Sequence, residues 1–139
     1  MVHKNLIIRL LLVFIFTGCG NEQNKTDSSA VRENGVPKIE FERYFYNFGT
    51  ISQGEKVSYT FEFENKGDAE LIIKDAYAAC GCTVPKYKKE PVMPGEEGYV
   101  EVLFDSRGRR GNQYKTVKIK TNTPVREKTL TIQANVITN

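Results

Sequence analysis

The chain has no tryptophan and one histidine in 139 residues. That histidine is His3, which sits inside an N-terminal leader. Once the leader is removed, no imidazole remains, which excludes a Ser-His-Asp triad, a Cys-His pair and a histidine-ligated metal. The missing tryptophan weakens a sugar-stacking role, although seven tyrosines remain. No sign of charge dominates. Twenty basic and 17 acidic side chains give +3, and loss of Lys4 and Arg9 with the leader lowers this to +1. Such a balance exerts no bulk pull on nucleic acid. There is also no apolar run long enough to cross a bilayer. Leu6 to Phe16 covers 11 residues, whereas a spanning helix needs about 20. A sustained apolar period of 3.6 residues is absent too, so no long helix is expected.

What is present begins with that leader. Lys4 and Arg9 supply positive charge, Leu6 to Phe16 is otherwise apolar, and the small residues Thr17-Gly18 precede Cys19. This is the layout of a secretory signal. It resembles the bacterial lipoprotein signal, in which the cysteine is lipidated and becomes the new first residue. Residues 1–18 are therefore expected to be removed. Cys19 is expected to carry lipid that holds the protein to a membrane of the bacterial cell envelope, facing the periplasm or the cell surface. Two or more acyl chains anchor stably where one binds only marginally. Simple secretion is the competing reading, because Phe16 stands where such signals more often carry leucine. Residues 19–36 are polar and hold too few large apolar groups to order themselves. They read as a flexible tether with an end-to-end distance of about 20–25 Å. Residues 37–139 then make one domain of ordinary size.

Within that domain the dominant signal is alternation. Val57, Tyr59, Phe61 and Phe63 point one way, while Ser58, Thr60, Glu62 and Glu64 point the other. Val100, Val102 and Phe104 repeat the pattern, as do Val117 and Ile119, and then Leu130, Ile132, Ala134 and Val136. Strands with one dry and one wet face favour antiparallel sheets over a parallel sheet buried on both sides. Shorter strands are expected near Ile39–Phe41 and Leu71–Tyr77. Turn residues separate these runs. Gly67, in Asn65-Lys66-Gly67-Asp68, is suited to positive φ. Pro94-Gly95 fits the centre of a type II turn. Gly108 and Gly111 bracket a hairpin tip, and Pro124 ends a strand because it cannot donate to a ladder. The expectation is an all-β, immunoglobulin-like antiparallel sandwich of about seven strands.

Several of these residues occur in a specific order. Phe48-Gly49-Thr50-Ile51 and Gly54 lead to Phe61-x-Phe63-x-Asn65-x-Gly67 and Leu71-x-Ile73. Cys80-Gly81-Cys82-Thr83, Pro94-Gly95 and a strand ending at Phe104 follow. Over about Ile39 to Val136 the chain resembles the bacterial domain-of-unknown-function family 1573. That family is similar in turn to the Ig-like group of Hydin-type and major sperm protein domains. The resemblance implies a small Ig-like sandwich, often lipid-anchored. It carries over no catalytic residues.

Cys80-Gly81-Cys82 is the one constellation with reactive chemistry. Near cysteines pair readily in an oxidising compartment. Fully extended, residues i and i+2 lie at about the upper limit of disulfide Cα separation, roughly 6.8 Å, so a bend is required, and Gly81 permits one. Chain entropy gives such a short loop only about 1.6 kcal/mol, which makes a poor staple. Three readings stand. The pair shapes a loop, it is a thiol-disulfide site, or it binds a soft metal such as copper(I). Lys86, Lys88 and Lys89 lower a thiol pKa if they fold back onto it. Zinc fits badly, since two cysteines supply half of a four-coordinate site.

Two surface patches complete the candidates. Arg107, Arg109 and Arg110 make a basic hairpin tip, which Lys115, Lys118 and Lys120 extend along the next strand. Contact with anionic material competes with plain solvation there, and lysines on an edge also block aggregation. Tyr44, Phe45, Tyr46 and Phe48 are a dense aromatic cluster. Phe45 or Phe48 is expected in the core, leaving Tyr44 and Tyr46 for a partner or a glycan. The function expected is a membrane-anchored, non-enzymatic binding or scaffold module for another envelope protein. It needs no cofactor or metal and makes no nucleic-acid contact. Thiol or soft-metal handling through Cys80 and Cys82, and glycan binding, are the alternatives.

Overall fold

Alternating side chains require a strand that hides one face and wets the other. Residues 34–138, those described in this computed structural model, are built largely that way. The strands in chain order are β1 (Ile39–Phe41), β2 (Phe45–Ser52), β3 (Lys56–Asn65) and β4 (Ile73–Ala78). They continue with β5 (Thr83–Tyr87), β6 (Glu97–Asp105), β7 (Gly111–Thr121) and β8 (Glu127–Ile137). Among the described residues there is no helix. Two four-stranded sheets, ordered β1-β3-β6-β5 and β2-β8-β7-β4, stack into an Ig-like sandwich. The leader, Cys19, tether residues 20–33 and Asn139 lie outside the described residues.

The all-β sandwich read from the alternation is the fold observed. It has eight strands rather than about seven. One pair also departs from the antiparallel rule: β2 runs parallel to β8, with Phe45 opposite Thr131 and Ser52 opposite Ile137. The core forms where the dry faces meet. Phe61 lies opposite Val100, and Val57 opposite Phe104. Phe61, Val100, Val102 and Phe104 of one sheet meet Ile119 and Leu130 of the other, and all six are inaccessible to solvent. Burying a side chain of this size is worth about 1.5–3 kcal/mol.

Two strands are absent from the sequence reading, each for a local reason. β2 breaks its own alternation. Its register on β8 shifts between Asn47 and Thr50, Gly49 has φ 73°, and the Gly49 amide donates to Asn47 Oδ1. Before the bulge Tyr46 and Phe48 pack on the core and Phe45 is exposed, and the extra residue brings Ile51 back to the buried face. Of the two phenylalanines expected inside, Phe48 is therefore the one that packs. β5 is short and contains Pro85, which is tolerated because β5 is an edge strand. Leu71 belongs to no strand; it bridges to Val92, and β4 starts at Ile73.

The turns follow the proline and glycine rules with one exception. Glu96 N donates to Met93 O at 3.0 Å, and Gly95 has φ 78°, so Pro94-Gly95 occupies the turn centre. Gly67, however, is not in the positive-φ region. It is needed for space. A Cβ there would collide with the backbone of Val36, Pro37 and Lys38, which crosses directly over it. Next to it Asn65 is fully buried. Its Nδ2 donates to Ala69 O at 2.8 Å and Val92 O at 2.9 Å, and its Oδ1 accepts from the amides of Lys38 and Gly67. One side chain thus ties the first strand, the β3–β4 loop and the β5–β6 connection together.

Candidate functional site

The strand directions separate the two ends of the sandwich. β3 has ten residues, a length of about 33 Å. Its Asn65 end meets Ile39, where the chain enters the domain. Its Lys56 end meets Asp105, beside the β6–β7 turn. There Ser106 Oγ lies 2.9 Å from Ser52 O and 2.8 Å from Glu55 O, pinning that turn to the β2–β3 turn. The cysteine pair and the arginine tip both fall in this far half.

Cys80 and Cys82 are joined by a disulfide, with Cα atoms 5.3 Å apart. The bend comes from a turn in which Thr83 N donates to Cys80 O at 3.3 Å. Gly81 has no positive φ, and a Cβ placed on it meets nothing within 4 Å. The glycine is therefore not what permits the bend. Gly81→Ala should leave both the bridge and the unfolding midpoint unchanged within about 0.5 kcal/mol, which urea denaturation and thiol titration will check. Thr83 is buried, and its Oγ1 lies 3.6 Å from Cys80 Sγ and 3.8 Å from Cys82 Sγ. Cys82 packs on the core, and its carbonyl accepts from Asp105 N. Cys80 instead lines a cavity of about 180 Å³ with Ala79, Tyr114, Lys115 and Thr116.

Lys115 is the residue that sequence reasoning misplaced. It shares the inward phase of β7 with Val117 and Ile119 and pairs with buried Ile132. β4 ends level with Val117, so Lys115 comes out beside the cysteine turn. Burial, and then the charge of Arg109, hold its pKa below the usual lysine range. The signal was present: a lysine at an inward position of an alternating strand. Lys86, by contrast, pairs with Glu101, and neither Lys86, Lys88 nor Lys89 lines the bridge cavity.

The basic patch divides. Arg107 Nη2 lies 2.6 Å from Asp105 Oδ2, and its Nε donates to the same carboxylate. These bonds hold the Asp105 carboxyl below the usual range. Lys118 pairs with Glu127, and Lys120 sits 4.9 Å from the Tyr77 ring centre. Arg109, Arg110 and Lys115 make no ion pair among the described residues. Arg109 Nε is buried with no hydrogen-bond partner, while the Arg109 carbonyl accepts from Gln53.

Tyr44 and Tyr46 do not form a joint platform. Tyr44 packs its edge on Phe41, whereas Tyr46 stacks on Tyr59 at 3.6 Å and is half-buried. A concavity of about 620 Å³ lies at the other end of the sandwich. Pro37, Ile39, Pro124 and Val125 line it together with Lys38 and Lys128. Among the described residues no three histidine, cysteine, aspartate or glutamate side chains converge as a metal cage.

The two stacked sheets, with β2 parallel to β8, define an Ig-like β-sandwich domain. A protein of unknown function from Porphyromonas gingivalis W83 superposes with TM-score 0.62 at 14% identity, over 80% of this chain and 51% of that one. The present chain thus spans about half the length of that relative. The ASH/PapD-like domain 7 of human CEP192 superposes with TM-score 0.57 at 14% identity, over 73% of this chain and 87% of that domain. The Vibrio cholerae VesB protease matches with TM-score 0.54 at 20% identity, over 71% of this chain but 31% of the protease. At these identities the likeness is one of fold. No curated protein matches. Residues 39–136 match the family of proteins of unknown function DUF1573, and the chain belongs to that family.

Proposed function

We propose that this chain is a lipid-anchored, extracytoplasmic Ig-like module that binds another envelope protein and has no catalytic activity of its own. One observation carries the reading. The chain enters the domain at the Val36–Ile39 end, while unpaired Arg109, Arg110 and Lys115 and exposed Tyr114 lie in the opposite half. A tether of about 20–25 Å and strands of about 33 Å would hold that half well clear of a membrane. Exposed arginine and tyrosine suit a protein interface.

Two measurements test it. Cys19→Ser should move the protein from the membrane to the soluble fraction; unchanged partitioning would remove the anchor. A photo-crosslinking residue at Tyr114 should capture a discrete envelope protein. The same residue at Tyr99, exposed on the outer face of β6, should not. Equal capture at both positions, or turnover of a substrate by the purified protein, overturns the reading.

A further inference from the structure

The Cys80–Cys82 bridge differs from a buried structural staple in three respects. It spans one intervening residue, so it constrains little chain. Cys80 borders an open cavity rather than the core. Lys115, which makes no ion pair among the described residues, lines that same cavity, and the charge of Arg109 adds to the positive field felt by Lys115. The buried Nε of Arg109 lacks a partner. Unpaired positive charge beside a disulfide attracts what a disulfide reacts with, a thiolate.

We infer that the bridge is a thiol-exchange site, which takes a partner cysteine flanked by acidic side chains, and that Cys80 is the sulfur attacked. This rests on the binding reading above and names the chemistry by which the partner is held. The partner's thiolate attacks Cys80 Sγ, and a new S–S bond forms. The Cys80–Cys82 bond breaks, and its electron pair leaves on Cys82 Sγ. That thiolate takes up the proton that the partner's thiol gave up. The partner sulfur is oxidised to the disulfide level and Cys82 is reduced, so no further oxidant is needed. Thr83 Oγ1, within 4 Å of both sulfurs, donates to the departing thiolate. Cys80 is the sulfur attacked because it borders the cavity, while packing and the carbonyl bond to Asp105 N hold Cys82 at the core, where the Thr83 hydroxyl is the group that stabilises the thiolate. Lys115 and Arg109 act as positioning residues, drawing in the thiolate and the carboxylates beside it.

The test uses the full-length protein in detergent and two synthetic peptides, one with cysteine between glutamates and one with cysteine between lysines. After acid quench and alkylation, peptide mapping should find the acidic peptide on Cys80 and the alkyl group on Cys82. The acidic peptide should react at least about tenfold faster than the basic one. Lys115→Gln and Arg109→Gln, checked by circular dichroism for intact folding, should each reduce that ratio. An adduct on Cys82, no adduct at all, or no preference between the peptides overturns the inference. The binding reading fails separately. If Cys80→Ser/Cys82→Ser still crosslinks its partner through Tyr114 while the wild type forms no adduct, exchange falls and binding stands. If Tyr114 captures nothing in either protein, both fall.

Discussion

Asn65→Ala should cost the domain about 4 kcal/mol, seen as a large fall in the urea midpoint followed by tyrosine fluorescence. The side chain serves four backbone partners: the carbonyls of Ala69 and Val92 and the amides of Lys38 and Gly67. Alanine leaves Ala69 O and the amides of Lys38 and Gly67 without this partner, while Val92 O keeps the Leu71 amide, and each unsatisfied buried group costs about 1–3 kcal/mol. Partial relaxation and entering water recover some of the sum. For a domain of this size the loss corresponds to a drop of more than about 15 °C in Tm. Asn65→Asp should be no better, because it presents oxygen to the two carbonyls that now receive N–H. A loss below about 1 kcal/mol for either variant would mean that these hydrogen bonds are readily replaced.

Gly98→Ala should destabilise by about 3 kcal/mol, the upper range for overpacking a core. Gly98 is buried and directly opposite Phe63. An added methyl would run into the Cζ and Cε atoms of the Phe63 ring. The ring cannot swing freely, since it is buried and packs edge-on against Phe41 at 5.2 Å. The signature of this mechanism is compensation. Gly98→Ala combined with Phe63→Leu should be less destabilised than the sum of the two single variants by at least about 1 kcal/mol. Strict additivity in that double-mutant cycle would show that the ring contact is not the cause.

The fold was legible because each long strand wears its burial on alternate residues. Val100, Val102 and Phe104 needed no partner to be read as a dry face. β2 hid itself because its aromatic rings fall on both faces, Phe45 outside and Tyr46 and Phe48 inside, and because an extra residue between Asn47 and Thr50 then resets the phase. β5 hid itself because Pro85 argues against a strand unless its edge position is known. Gly67 was legible as a required glycine, yet for the wrong reason. Its neighbours in space, Val36 to Lys38, come from about thirty residues earlier in the chain, and local turn rules are blind to them.

The site divides along the same line. Cys80 and Cys82 announce themselves by spacing alone. Their electrostatic surroundings do not. The lysines closest in sequence, such as Lys86, turn to the outer face of the sheet, and the lysine that reaches the cavity arrives from β7, across a register that only pairing defines. Arg107, Arg109 and Arg110 look alike in sequence. They differ because Asp105 lies two residues before Arg107 and claims it.

The parallel pairing of β2 with β8 has a mechanical consequence. β2 starts on the side where the chain enters the domain, and β8 finishes at the far end, beside Gln53. Tension between the segment preceding β2 and the end of β8 therefore runs along both strands in opposite senses. It shears their ladder, loading all its hydrogen bonds together, rather than peeling them one after another from an end. A domain held at one end and pulled at the other would yield abruptly and at high force, and it would keep its shape under the smaller tugs that precede rupture.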